Sequence, residues 1–100
     1  MCLVNPTEFA AQLENVMYTS SKANYTLTGH VILSEKSVEN SLRCMKYCAN
    51  LANGQCKSFN HNEVTGECQL NNETGRDEID GDMKPREGYT HYYITRTRIP

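Results

Sequence analysis

Residues 37–72 read SVENSLRCMKYCANLANGQCKSFNHNEVTGECQLNN, and they hold four of the chain's five cysteines: Cys44, Cys48, Cys56 and Cys68. Val38, Leu42, Met45 and Ala49 recur at steps of four, three and four, the spacing of one helical face. Ser37 suits an N-cap, and Asn53-Gly54 suits a stop because both residues tolerate positive φ. The expectation is one main helix over about residues 37–53. Cys44 and Cys48 then lie one turn apart on the same side of it. Thiols stacked in that way are poorly placed to bond to each other, since their Cβ vectors run parallel near the long limit for a disulfide. They reach together towards whatever packs against the helix.

Two β-like runs follow, Cys56-Lys57-Ser58-Phe59-Asn60 and Glu67-Cys68-Gln69-Leu70-Asn71, with Asn62-Glu63-Val64-Thr65-Gly66 as the turn between them. Four cysteines allow three pairings, and disfavouring Cys44–Cys48 also removes Cys56–Cys68. Chain direction separates the other two. After the reversal at Gly54, Cys56 has come back only about 7–10 Å, at roughly 3.3 Å per residue. Cys48 lies about 7–8 Å from the same helix end, at 1.5 Å per residue. The hairpin then returns Cys68 towards the far end, where Cys44 is. The expected pattern is nested, Cys48–Cys56 inside Cys44–Cys68.

A chain of 100 residues with 38% hydrophobic content, two Phe and no Trp has a thin core for its length. Residues 1–100 are expected to form a single domain that needs covalent support. Disulfides imply an oxidising compartment. The sequons Asn24-Tyr25-Thr26 and Asn72-Glu73-Thr74 point the same way and make Asn24 and Asn72 glycosylation candidates. The first residues offer neither a basic start nor a long apolar run, so no secretory leader is read there. The expectation is a module of a longer secreted or membrane-anchored chain. No stretch approaches transmembrane length. A net charge of −2 argues against nucleic-acid binding.

Outside the central stretch, residues 7–17 fit either a helix through Phe9, Leu13, Val16 and Met17 or a short strand ending at Thr19. Ser20 to Asn24 reads as a loop. Tyr25 to Leu33 reads as a strand, covered on both faces near Ile32. Glu73 to Gly88, acidic and rich in glycine, reads as a long surface loop. Tyr89 to Arg96, aromatic and β-branched, reads as a closing strand. Strand, helix, hairpin, loop and strand in that order give an α+β fold: a curved antiparallel sheet with one main helix bolted to it by two nested disulfides.

Gly29-His30-Val31-Ile32, Cys44-x-x-x-Cys48, Cys56-Lys57-Ser58-Phe59-Asn60 and Cys68-Gln69-Leu70-Asn71-Asn72-x-Thr74, with Tyr92-Tyr93 as a looser match, resemble the PAN/apple domain family over about residues 25–95. The resemblance implies a curved sheet cradling a helix, the same nested disulfides, and a non-enzymatic extracellular module that binds a protein or a glycan. Many relatives carry a third disulfide joining the first and last strands. Here no cysteine follows Cys68, which leaves Cys2 without an internal partner.

Cys44, Cys48, Cys56 and Cys68, or three of them with His61, would suit zinc, but a C-x₃-C on a helix lacks the tight paired turns of structural zinc sites. No metal or cofactor is expected. Cys2 is a free thiol, an external partner or the bridge of a covalent dimer. The run Asp77-Glu78-Ile79-Asp80-Gly81-Asp82 has oxygen ligands enough for calcium but not the EF-hand spacing, and a solvated loop is the preferred reading. Lys84, Arg86, Arg96 and Arg98, with His91 nearby, would form a small patch for sulfated glycan; charge protecting an edge strand from aggregation explains them as well. Tyr89, Tyr92 and Tyr93 are candidate contact residues if exposed. His30, His61 and His91 are scattered, and no nucleophile elbow or phosphate loop occurs, so no enzyme is expected. The preferred reading is a recognition or adhesion module with a protein partner ahead of a glycan. The alternative is a structural spacer.

Overall fold

Along residues 16–19 the side chains alternate, with Val16 and Tyr18 turned inward and Met17 and Thr19 turned out, which is strand periodicity. The computed structural model describes residues 14–75 and 82–98. Of the stretch 7–17 that fits either helix or strand, residues 7–13 lie outside the described residues and 14–17 belong to a strand, β1, which runs from Glu14 to Leu27 and takes in the Ser20–Asn24 stretch expected as a loop. That stretch is polar because β1 is an edge strand: its exposed positions face water, and its backbone is satisfied by pairing on one side.

The expected single strand from Tyr25 to Leu33 is broken. Thr28 to His30 turn the chain, and β2 covers Val31–Glu35. Ile32 is not covered on both faces; it is 40% exposed, because β2 forms the opposite edge of the sheet. Asp82 fastens the turn. Its carbonyl accepts from both the N–H and the hydroxyl of Thr28, at 2.9 Å each, and its carboxylate lies 2.7 Å from His30 Nε2.

The helix, α1, spans Ser41–Asn50 and is shorter than expected at both ends. Its N-cap is Asn40, not Ser37; Asn40 Oδ1 accepts from the Arg43 N–H at 2.9 Å. Ser37 instead lies in the left-handed region, φ +61°, where Gly66 of the hairpin turn presses against it. A methyl on Gly66 would sit 3.1 Å from Ser37 Cα, so glycine is required there. The helix stops at Asn50, and a short 3₁₀ turn at Ala52–Gly54 carries the positive φ values expected of Asn53 and Gly54.

The chain then forms β3 (Ser58–Asn62), β4 (Cys68–Asn71) and β5 (Met83–Arg98). β3 and β4 make the expected antiparallel hairpin. β5 begins six residues before Tyr89, so Met83 to Gly88, expected as loop, belongs to the strand. The five strands order as β1-β5-β3-β4-β2, and every neighbouring pair is antiparallel. With one helix and two disulfides, this is the α+β architecture expected.

The two faces of the sheet differ. Beneath α1 lie Val38, Cys44, Cys48, Cys56, Phe59, Cys68, Leu70 and Ile94, all buried. Phe59 stacks on Tyr92 with ring centroids 4.9 Å apart, and Tyr18 tilts against both. Cys44 bonds to Cys68 and Cys48 to Cys56, with Cα–Cα distances of 5.7 and 5.2 Å, so the helix is joined covalently to β4 and to the approach to β3. All four sulfurs are therefore in disulfides, which excludes the zinc reading. The other face of β3 is buried yet polar. Ser58, Asn60 and Asn62 are covered there, with Asn71 and His91 beside them.

Candidate functional site

Strand alternation settles where the expected basic patch goes. Arg96 and His91 occupy opposite faces of β5. Arg96 turns under the helix end, where its guanidinium donates to the carbonyls of Cys48, Ala49 and Cys56 at 3.5, 3.3 and 3.2 Å. A cation there offsets the partial negative charge of the helix C-terminus. His91 is fully buried, with Nδ1 3.0 Å from Ser21 Oγ, and cannot belong to a surface patch. Lys84 and Arg86 are exposed, and Arg86 lies over the Tyr89 ring at 4.4 Å. The side chain of Arg98 lies outside the described residues. Among the described residues the basic candidates are not brought together, because Arg96 and His91 are engaged inside the fold.

The tyrosines divide similarly. Tyr89 is buried, and its hydroxyl donates to the Glu67 carboxylate. Burial, and secondarily the Glu67 carboxylate, hold its phenol above the ordinary value of 10.0. Tyr92 is half-buried in the aromatic stack, and Tyr93 is half-buried. Asn24 and Asn72 are both exposed. Cys2 and the acidic residues 77–81 lie outside the described residues, so neither the fate of Cys2 nor the choice of solvated loop over calcium meets any geometry.

A different surface emerges on the helix. Within the helix Cys44 and Cys48 are buried and Ser41, Met45 and Ala49 half-buried; of the expected face Val38, Leu42, Met45 and Ala49, only Leu42 is turned away from the core. The disulfides fix the rotation: both cysteines must face the hairpin, and Leu42 is turned out to 46% exposure. At 100° per residue the exposed arc then runs Leu42, Lys46, Asn50, Arg43, Tyr47. Arg43, Lys46, Tyr47 and Asn50 line a shallow open cleft of about 240 Å³. Tyr47 is 44% exposed. The nearest opposite charge is Glu39, 3.8 Å from Arg43 Nε, and both side chains are largely in water, so this pair holds the arginine weakly. Two cations, an aromatic ring and an aliphatic side chain therefore share one rigid face. Of these, tyrosine and arginine are the residue types in which binding energy concentrates at protein interfaces. Sequence reasoning missed them because it placed Leu42 on the core face; phasing on the cysteines would have exposed Leu42, Arg43, Lys46 and Tyr47 together.

Among the described residues no group of His, Cys, Asp and Glu is arranged to hold a metal ion, and no helix is long and apolar enough to cross a membrane. No curated protein and no solved structure matches the chain. The family profile of the PAN domain matches residues 18–95, which takes in most of β1, the helix, both disulfides and β5 as far as Thr95. Modules of this kind are in general non-catalytic and bind protein or carbohydrate. With more than half its length matched, over the same residues that carry the disulfide-bolted helix and sheet, the chain belongs to the PAN domain family.

Proposed function

We propose that this chain is a non-enzymatic extracellular recognition module, and that the outer face of α1 binds an acidic segment of a protein partner. The observation that carries this reading is the mixed character of the exposed arc. Arg43 and Lys46 supply two positive charges without a strong internal partner, while Leu42 and Tyr47 flank them with apolar surface left in water. A sulfated glycan would use the cations but gain nothing from Leu42. An acidic peptide with apolar residues uses all four. Buried disulfides that fix the helix to the sheet keep this face preorganised, which lowers the ordering cost of binding. They also suit an oxidising, extracellular setting.

The test is a panel of acidic peptides and a sulfated-glycan array, each probed with the oxidised chain and with R43E/K46E and L42S/Y47S variants. Acidic peptides bound by the parent are expected to lose about tenfold or more in affinity with either pair changed. Retention of binding by both variants would remove the helix face from the account. Glycan binding that depends on Arg43 and Lys46 but ignores Leu42 and Tyr47 would replace the protein partner with a polyanionic sugar.

A further inference from the structure

Thr26 is 1% exposed, and its Oγ1 has no hydrogen-bond partner among the described residues. A buried hydroxyl without a partner costs stability, and valine would fill the same shape without that cost. The folded state therefore gives no reason for threonine at this position. The sequence does: Thr26 is the third residue of Asn24-Tyr25-Thr26, where the hydroxyl is required for attaching a glycan to the asparagine.

The acceptor side fits as well. Asn24 is exposed and has φ +63°, at the point where the β1–β5 register shifts between Ala23 and Tyr25. Its Oδ1 accepts from the Gly88 N–H at 3.2 Å across that bulge. Glycosylation replaces one hydrogen on Nδ2 and leaves Oδ1 untouched, so the bond the bulge uses survives modification. We propose that Asn24 carries an N-linked glycan, and that the Thr26 hydroxyl serves recognition of the extended chain before β1 closes on β5. In that step Nδ2 attacks the anomeric carbon of a lipid-linked oligosaccharide pyrophosphate. The N–C1 bond forms, the C1–O bond to phosphate breaks, the lipid pyrophosphate leaves with the electron pair, and the transferase takes the Nδ2 proton. Once folded, the hydroxyl is out of reach, so modification precedes folding of the strand. The glycan then stands on an edge strand, where it blocks pairing with a second chain. Asn72 is also exposed, but Thr74 is only half-buried and has interactions of its own, so that sequon lacks the same signature.

The inference shares with the proposed function a passage through the secretory pathway but does not depend on the helix face. The full chain, secreted from eukaryotic cells behind a leader, is mapped by peptide mass before and after treatment with peptide-N-glycosidase. The parent is expected to carry sugar on the Asn24 peptide, and the treatment to convert Asn24 to aspartate. Thr26→Ser keeps the sugar. Thr26→Val loses it, with a melting temperature no lower than that of the deglycosylated parent. Should T26V fail to be secreted, the same melting comparison on chains refolded from bacteria decides the point. An unmodified Asn24 in the secreted parent, or a T26V variant that melts well below the sugar-free parent, overturns the proposal; acidic-peptide binding is read separately and is unaffected by either outcome.

Discussion

The side-chain amide of Asn60 binds the backbone of Leu27 as a neighbouring strand would: Oδ1 accepts from the Leu27 N–H at 3.0 Å, and Nδ2 donates to the Leu27 carbonyl at 3.0 Å. β1 and β3 are not neighbours in the sheet, since β5 lies between them. The contact therefore shows the end of β1 folded across the face of β3 that points away from the helix. Asn60→Asp would place a second acceptor against the Leu27 carbonyl and bury a charge. We predict a loss of about 3 kcal/mol in urea unfolding at neutral pH. An unchanged midpoint would mean that this cover contributes nothing to stability.

Arg96 is predicted to act as a structural cap. Arg96→Met removes contacts to two carbonyls at the helix end and to that of Cys56 and is expected to cost about 2 kcal/mol, with Arg96→Lys intermediate because it keeps the charge but not the planar fork. Thermal unfolding measures both. If Lys and Met substitutions cost the same, the charge itself does not matter.

The same mixture of buried polar contacts marks the limit of what the sequence reveals. Cysteine spacing, turn residues and helical period disclose the helix, the hairpin and the disulfide pairing, because each is set by local geometry. Asn60, His91, Ser58 and Asn71 look like surface residues until the sheet's second face is seen to be covered, and no local pattern signals that cover. β1 is hidden for a related reason: Ser20 to Asn24 is polar along an exposed edge, so no alternation survives there. At the candidate site, the residue types on α1 were visible, but their common face depends on a helix phase that the cysteines set and Leu42 disguises.

Tyr89 predicts an alkaline limb of stability. Its folded-state phenol is held above the ordinary 10.0, first by burial and then by the Glu67 carboxylate, so the folded protein binds the proton more tightly than the unfolded chain. Stability from this group is complete below pH 10 and falls as pH rises through the raised value. Tyr89→Phe should flatten that limb in chemical unfolding followed against pH. A parent and variant with parallel profiles would show that the phenol does not titrate with folding.

The two disulfides should contribute unequally. The loop between Cys44 and Cys68 has a separation of 24 residues and that between Cys48 and Cys56 one of 8. Chain entropy gives roughly 3.5 kcal/mol for the first and roughly 2.6 kcal/mol for the second. Paired Cys→Ala variants, compared by urea unfolding, are expected to rank in that order; the reverse ranking would place the larger constraint near the helix end.

The most direct measurement is peptide mapping of the oxidised chain by mass spectrometry without reductant. One linked peptide pair is expected to join Cys44 to Cys68 and another Cys48 to Cys56, both lost on reduction together with the cooperative thermal transition. Any other linkage among these four sulfurs, or a reduced chain that unfolds at the same temperature as the oxidised one, would contradict that expectation.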